Sequence, residues 1–95
     1  MNILRITTGF RIRHGLGGGF GGSGDWEYIE ANDYDDAMQQ AWQAACEDYE
    51  MYEGMYGLQS WTDIEEENPD WDDTDIEMEY NDQRESRLEY EAEEV

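Results

Sequence analysis

The chain has 95 residues, of which 26 are Asp or Glu and 5 are Lys or Arg, so its formal net charge at pH 7 is −21. This length allows one small domain, and this charge disfavours direct contact with nucleic acid or with an anionic membrane surface, because both need Lys and Arg facing phosphate. Thirteen aromatic residues argue against a disordered chain, and the lack of a long apolar run near the first residue predicts a cytoplasmic protein.

Residues 4–12 alternate between apolar and polar or small side chains, which predicts a half-buried strand. Seven of the ten residues from 15 to 24 are glycine. Because glycine leaves the backbone unrestrained, we predict a mobile loop over residues 14–25. Residues 26–31 resume strand chemistry, so this loop is expected to join the two strands of an antiparallel hairpin.

A helix is predicted next, with Asn32 or Asp33 capping its first turn. Gly54 and Gly57 are expected to end this helix. Its core-facing stripe is expected to consist of residues at helical spacing, namely Met38, Ala41, Trp42, Ala45, Tyr49 and Tyr52.

The rest of the chain is more acidic. Residues 55–74 show no sustained period and contain the one proline, so we predict an irregular acidic loop pinned by Trp61, Ile64 or Trp71. Residues 75–93 alternate again, which predicts an acidic hairpin that turns near residues 83–85. In its register, like charges would face each other as Glu79 with Glu89, Glu77 with Glu91 and Asp75 with Glu93.

Together these elements predict a single α+β domain over residues 1–95. One antiparallel sheet, in the order strand, strand, helix, strand, strand, would carry one helix packed on it. The expected core joins one face of each strand to the helical stripe and consists of Leu4, Ile6, Phe10, Ile12, Met38, Trp42, Ala45, Tyr49, Met78, Tyr80, Leu88 and Tyr90.

No motif in the chain points to catalysis. The run Gly17-x-Gly19-x-x-Gly22 fits a dinucleotide pattern, but a strand rather than a helix is expected after it. His14 and Cys46 are the single imidazole and the single thiol, and no supporting motif surrounds either of them. The start of a calcium loop at Asp70 lacks the glycine and the glutamate that such a loop needs. We therefore predict a protein that is not an enzyme, with no catalytic residue, no cofactor and no metal site.

The acid itself is the strongest signal. Solubility needs a net charge of only about 2 to 8 in magnitude for a small domain. A halophilic surface would spread the acid evenly, whereas residues 1–24 contain no acid and residues 63–95 contain sixteen. Alternate strand residues lie about 6.7 Å apart on one face, so the acidic hairpin would imitate a polyanion with two rows of charge. The predicted partner-binding residues are Asp72, Asp73, Asp75, Glu77, Glu79, Glu89, Glu91 and Glu93, with Leu16 and Phe20 of the glycine loop.

In size, acidity and small α+β layout, above all over residues 63–95, the chain resembles the DNA-mimicking proteins of bacteriophages and mobile elements. These include antirestriction proteins, anti-CRISPR proteins and inhibitors of DNA-repair glycosylases. The resemblance includes no diagnostic motif, so no functional residue is carried over. It implies an inhibitor of a basic, nucleic-acid-binding host protein, acting in the cytoplasm of an infected bacterium. Two alternatives stay open: an acidic virion or assembly protein that self-associates, for example as a homodimer, and an antitoxin-like module that neutralises a basic toxin.

Overall fold

The computed structural model describes residues 7–95, so the predicted core residues Leu4 and Ile6 lie outside the described part of the chain. The central strand is β1 (Thr8–Leu16), in which Phe10, Ile12 and Leu16 are buried. Along one edge it pairs with the two-residue β2 (Gly22–Ser23) and with β3 (Glu27–Ala31), and along the other with β4 (Leu88–Glu94). All these pairings are antiparallel, so the predicted first hairpin is confirmed.

The main helix, α1 (Tyr34–Tyr52), packs on one face of this sheet. Its start confirms the predicted cap, because the Asp33 carboxylate accepts a hydrogen bond of 2.8 Å from the Asp36 amide. Gly54 and Gly57, with φ of 83° and 84°, follow its end in the left-handed region that favours glycine. The buried stripe consists of Ala37, Ala41, Ala45, Cys46 and Tyr49.

This stripe is rotated from the predicted one. Met38 and Trp42 are only partly buried, and Tyr52 is 37% exposed. The small side chains of three alanines face the sheet instead, which brings the helix close to β1 and β4. The larger anchors are Phe10 against Ala37, and Tyr49 against Leu16. The fold is therefore α+β, with one antiparallel sheet and a helix layer.

The segment predicted as an irregular loop contains a short helix, α2 (Trp61–Glu67). Ser60 and Asp63 form a reciprocal capping box, in which each side chain accepts from the other residue's backbone amide. Ile64 is fully buried, so its predicted anchoring role is confirmed, whereas Trp71 is 40% exposed. Ser60-x-x-Asp63 is the sequence signal of this helix start.

The predicted hairpin over residues 75–93 is wrong. Residues Asp73–Arg87 form a helix, α3, and only its successor β4 is a strand. Asp72 caps α3, and the acids of its first turn and the arginines Arg84 and Arg87 of its last turn complement the helix dipole. Three alternations over residues 75–80 are too few to outweigh these end signals. Consequently Met78, predicted in the core, is 61% exposed, and Ile76 is the buried residue of α3.

The predicted ladder of like charges does not form either. Within the sheet, Glu91 lies opposite Arg13 and Glu93 opposite Arg11, and both pairs are joined by ion pairs. The basic first strand and the acidic last strand are thus neighbours, and their opposite charges stabilise the pairing.

The predicted glycine loop shrinks to residues 17–21, because β1 extends to Leu16 and β2 begins at Gly22. Gly15 is required here, since a Cβ at this position would lie 1.9 Å from the Gly22 carbonyl oxygen. Leu16 is 3% exposed and packs with Tyr49 and Leu58 in the core.

The molecule is elongated. Its Cα radius of gyration is 16.5 Å and its extents are 54 × 35 × 16 Å. A compact domain of this length has a radius of gyration of about 12 Å. The α2 and α3 helices contact each other more than they contact α1, so they extend the molecule beyond the sheet and α1.

Candidate partner-binding surface

The most acidic part of the molecule is residues 61–82, here named the acidic arm. It contains eleven acids and no Arg, Lys or His, and it comprises α2, the connection to α3 and the first ten residues of α3. Within residues 7–95, every ion pair involves residues outside it. The carboxylates of the acidic arm are therefore not neutralised by ion pairs in the described part of the chain.

The first ten residues of α3 give this charge a regular geometry. Asp73, Asp75, Glu77, Glu79 and Asp82 occupy about 14 Å of helix axis at a rise of about 1.5 Å per residue. This is roughly one negative charge per 3 Å, between the spacing of about 3.4 Å on one DNA strand and about 1.7 Å on the duplex. Four of the five are exposed and Glu79 is half-buried. Counted along its axis, the helix carries a charge density similar to that of a nucleic-acid backbone, with Asp73 and Glu77 on one side and the other three acids on the opposite side.

Two acids of this region also hold the helices together. The Asp72 carboxylate accepts a hydrogen bond of 2.9 Å from the Asp75 amide, and Asp63 accepts one of 3.0 Å from the Ser60 amide. Asp72, predicted as a binding residue, therefore also caps α3.

An aromatic contact joins the acidic arm to α1. The Tyr80 ring lies edge-on to Tyr49 at 5.8 Å and tilted against Trp61 at 6.1 Å, measured between ring centroids. Its hydroxyl donates a hydrogen bond to the Glu53 carboxylate at the end of α1. Burial, and then this hydrogen bond, raise the pKa of the Tyr80 phenol, so the proton that makes the contact is retained.

A second contact lies one turn further along α3. The Arg84 guanidinium carbon is 5.6 Å from the ring centroid of Trp42, and the Trp42 indole N–H donates to the Glu85 carboxylate over 2.9 Å. Trp42, which was predicted in the core, thus lies between α1 and α3 and contacts both helices.

The predicted acids of the last strand lie elsewhere. Glu89, Glu91 and Glu93 alternate with the inward residues of β4, so they lie on the sheet face opposite α1. Arg11 and Arg13 lie on the same face and both contact the Trp26 ring, at 4.3 and 4.6 Å from its centroid. The structure therefore separates the predicted binding residues. Those in the acidic arm stay together, and those of β4 form ion pairs within the sheet or lie beside the glycine loop.

The two apolar residues predicted to contact a partner, Leu16 and Phe20, lie in different environments. Leu16 is a core residue, so its predicted contact with a partner is wrong. Phe20 is half-buried and lies at the surface with Tyr52 and Tyr56, with ring centroids 5.7, 6.0 and 6.3 Å apart. We name these three residues the aromatic trio. Sequence reasoning placed Tyr52 on the core-facing stripe of the helix and missed Tyr56.

Chemically reactive groups are few in this structure. Cys46 is buried, and burial raises the pKa of its thiol, so it stays protonated and unreactive. His14 contacts the Asp48 carboxylate and lies 3.7 Å from that of Glu27. Among residues 7–95, no three His, Cys, Asp or Glu side chains converge as metal ligands would. The helices of this part of the chain are also too short or too polar to cross a membrane.

Comparison of the chain with family models, with curated proteins and with solved structures finds no match.

Proposed function

We propose that this protein is a non-enzymatic inhibitor that binds a nucleic-acid-handling host protein by mimicking nucleic-acid charge. The target class that fits the sequence resemblance is bacterial anti-phage defence, such as restriction or CRISPR machinery. The observation that carries the proposal is the acidic arm, with eleven carboxylates, no base and no ion pair among the described residues.

Such a surface matches a groove built for phosphates. A groove lined by Lys and Arg attracts any polyanion, and attraction between large opposite charges raises the rate of association. Asp75, Glu79 and Asp82 lie on one side of α3, so three carboxylates can meet cations of the groove at once. A helix of carboxylates offers no phosphodiester bond, so the occupant would block the groove without being cleaved.

The crowded acids of α3 destabilise the helix, so the requirements of folding do not explain why they are there. Like charges three or four residues apart on a helix destabilise it by a few tenths of a kcal/mol per pair. Asp75 and Glu79 have this spacing, as do Glu79 and Asp82. Elsewhere the same chain pairs its acids with arginines, as at Arg13 and Glu91. The uncompensated acids of α3 are therefore better explained by a basic partner than by stability.

Two variants with equal charge test this proposal. The arm variant carries Glu65→Gln, Glu66→Gln, Glu77→Gln and Glu79→Gln, all outside the first turns of α2 and α3. The control variant changes four exposed glutamates outside the acidic arm, namely E30Q, E47Q, E50Q and E94Q. Each variant changes the formal net charge from −21 to −17.

Binding is measured against purified restriction endonucleases, CRISPR effector nucleases and DNA-repair glycosylases, with cytochrome c as a basic protein that has no nucleic-acid groove. We expect the wild-type protein to bind and inhibit at least one nucleic-acid enzyme, the arm variant to bind it at least tenfold more weakly, and the control variant to bind it within about twofold of wild type. Equal weakening by both variants, cytochrome c binding as tight as that of the enzymes, or no binding across the panel would overturn the proposal.

A further inference from the structure

The aromatic trio is an exposed cluster of rings beside the glycine loop. Tyr56 is 76% exposed, Tyr52 is 37% exposed and the neighbouring Met55 is 49% exposed. The three rings, with Gly18 and Gly19, line an open groove of about 380 Å³. Glycines on one wall let a ligand approach the backbone closely.

Tyr56 is held there at a conformational cost. Its φ of 54° places a bulky residue in the left-handed region, and it is the only described non-glycine residue with positive φ. This conformation turns the ring toward Tyr52 and Phe20 rather than into the core. An exposed aromatic ring kept in a strained backbone conformation adds little to folding, which favours a role in binding.

Two grooves next to the aromatic trio contain carboxylates. A neighbouring groove shares Phe20 and Tyr52 and is also lined by Asp48, whose carboxylate contacts His14. The second groove is lined by Gly57, which follows Tyr56 in the chain, and by Asp63 and Glu66. One cation is close, because the Arg87 guanidinium donates to the Gly18 carbonyl oxygen over 3.4 Å. The Gly18 carbonyl oxygen at this groove thus accepts a hydrogen bond from a guanidinium of the chain itself.

We propose that the aromatic trio is a subsite for an arginine side chain of the basic partner. This proposal rests on the proposed function, because only a partner rich in Lys and Arg complements a surface of this charge. Aromatic faces attract cations, and the planar, weakly hydrated guanidinium stacks on them better than the compact ammonium of lysine does. The carboxylates of Asp48 and Asp63, in the two neighbouring grooves, would add to the attraction.

The acidic arm and the aromatic trio would then affect different steps of binding. Exposed charges mainly speed encounter, whereas buried aromatic contacts mainly slow dissociation. The arm variant should therefore reduce the association rate, and loss of a ring of the aromatic trio should raise the dissociation rate.

The test uses two peptides of equal length and charge, octa-arginine and octa-lysine, as probes. Their affinities are measured for wild type, for Tyr56→Asn and for Tyr34→Ala, and the aromatic ring signals are followed by NMR. Asn tolerates the left-handed conformation of position 56, so this variant removes the ring without adding strain. Tyr34 is 53% exposed at the other end of α1, about 27 Å along the helix from Tyr52, and serves as the matched control.

We expect wild type to prefer octa-arginine, with shifts of the Tyr52 and Tyr56 ring signals. Y56N should reduce this preference by about two- to fivefold, the range for an exposed cation–π contact, and Y34A should leave it unchanged. Equal affinity of wild type for both peptides, unshifted ring signals, or the same preference in Y56N as in wild type would overturn the arginine subsite. The arm variant separates the two proposals: if it weakens binding to the nucleic-acid enzymes while Y56N keeps the arginine preference, charge mimicry stands and the subsite fails.

Discussion

Arg13 of β1 and Glu91 of β4 lie directly opposite each other in the sheet, and their side chains form an ion pair. The pair joins the basic start of the chain to its acidic end, 78 residues later. The acids of the molecule thus fall into two groups, according to whether an arginine pairs with them. Those of β4 include residues paired with arginine, and those of the acidic arm have no such partner among residues 7–95.

The first prediction concerns this pair. E91R alone places two arginines opposite each other and should lower the free energy of unfolding by about 1 kcal/mol or less, because both side chains are more than one-third exposed. The double variant R13E/E91R restores opposite charges and should recover most of the loss. Urea denaturation measures both, and a double variant no more stable than E91R would mean that the register does not bring these side chains together.

The second prediction concerns the packing of α3. Ile76 is 1% exposed, so I76A should lower the free energy of unfolding by about 2–5 kcal/mol. Met78, two residues along, is 61% exposed, so M78A should change it by no more than about 0.5 kcal/mol. A strand over residues 75–80 would place both side chains on one face. Similar losses for the two variants would therefore contradict the helix.

The third prediction concerns alkaline pH. Burial raises the pKa of Tyr49, and burial with the hydrogen bond to Glu53 raises that of Tyr80, both above the ordinary value of about 10. The folded state then keeps protons that the unfolded state releases, so this stability is complete below about pH 10 and is lost as pH rises above it. Urea denaturation across this range should show the decline, and Y80F should make it shallower. An equally steep decline in Y80F would show that Tyr80 is not its source.

The fourth prediction concerns salt. Because the acidic arm has no cations of its own, the arm variant should melt at a higher temperature than wild type at low ionic strength. Added salt screens the same repulsion, so the difference should shrink as salt rises. Thermal melts at several salt concentrations measure this, with the control variant as reference. A difference that does not depend on salt would mean that the substitutions act through something other than charge.

Parts of the fold follow from local pattern. α1 was predictable because its apolar residues continue for four turns and Asp33 marks its start. α3 was not, because its sequence alternates over residues 75–80 in a way that also suits a strand, with Ile76 and Tyr80 on one side in either case. The cap at Asp72 and the arginines near residue 87 were the signals that should have decided for a helix.

The candidate binding surface was also predictable from the sequence only in part. Acid runs show in the sequence, so the acids of residues 72–79 were expected to lie close together, and the structure places them together on a helix rather than on a hairpin. Pairing between distant strands does not show, and this is why Glu91 was expected to face Glu77 rather than Arg13. The position of Tyr56 depends on the backbone conformation between Gly54 and Gly57, and the periodicity of the sequence does not predict that conformation.

The most direct measurement of the central claim is competition for one groove. A fluorescently labelled DNA duplex is bound to a target enzyme that the protein inhibits, and its anisotropy is followed as wild-type protein, arm variant or control variant is added. We predict that wild type and the control variant release the duplex completely, that the arm variant needs at least tenfold higher concentration, and that raising salt weakens the release. A duplex that stays bound while the protein also binds the enzyme would contradict charge mimicry.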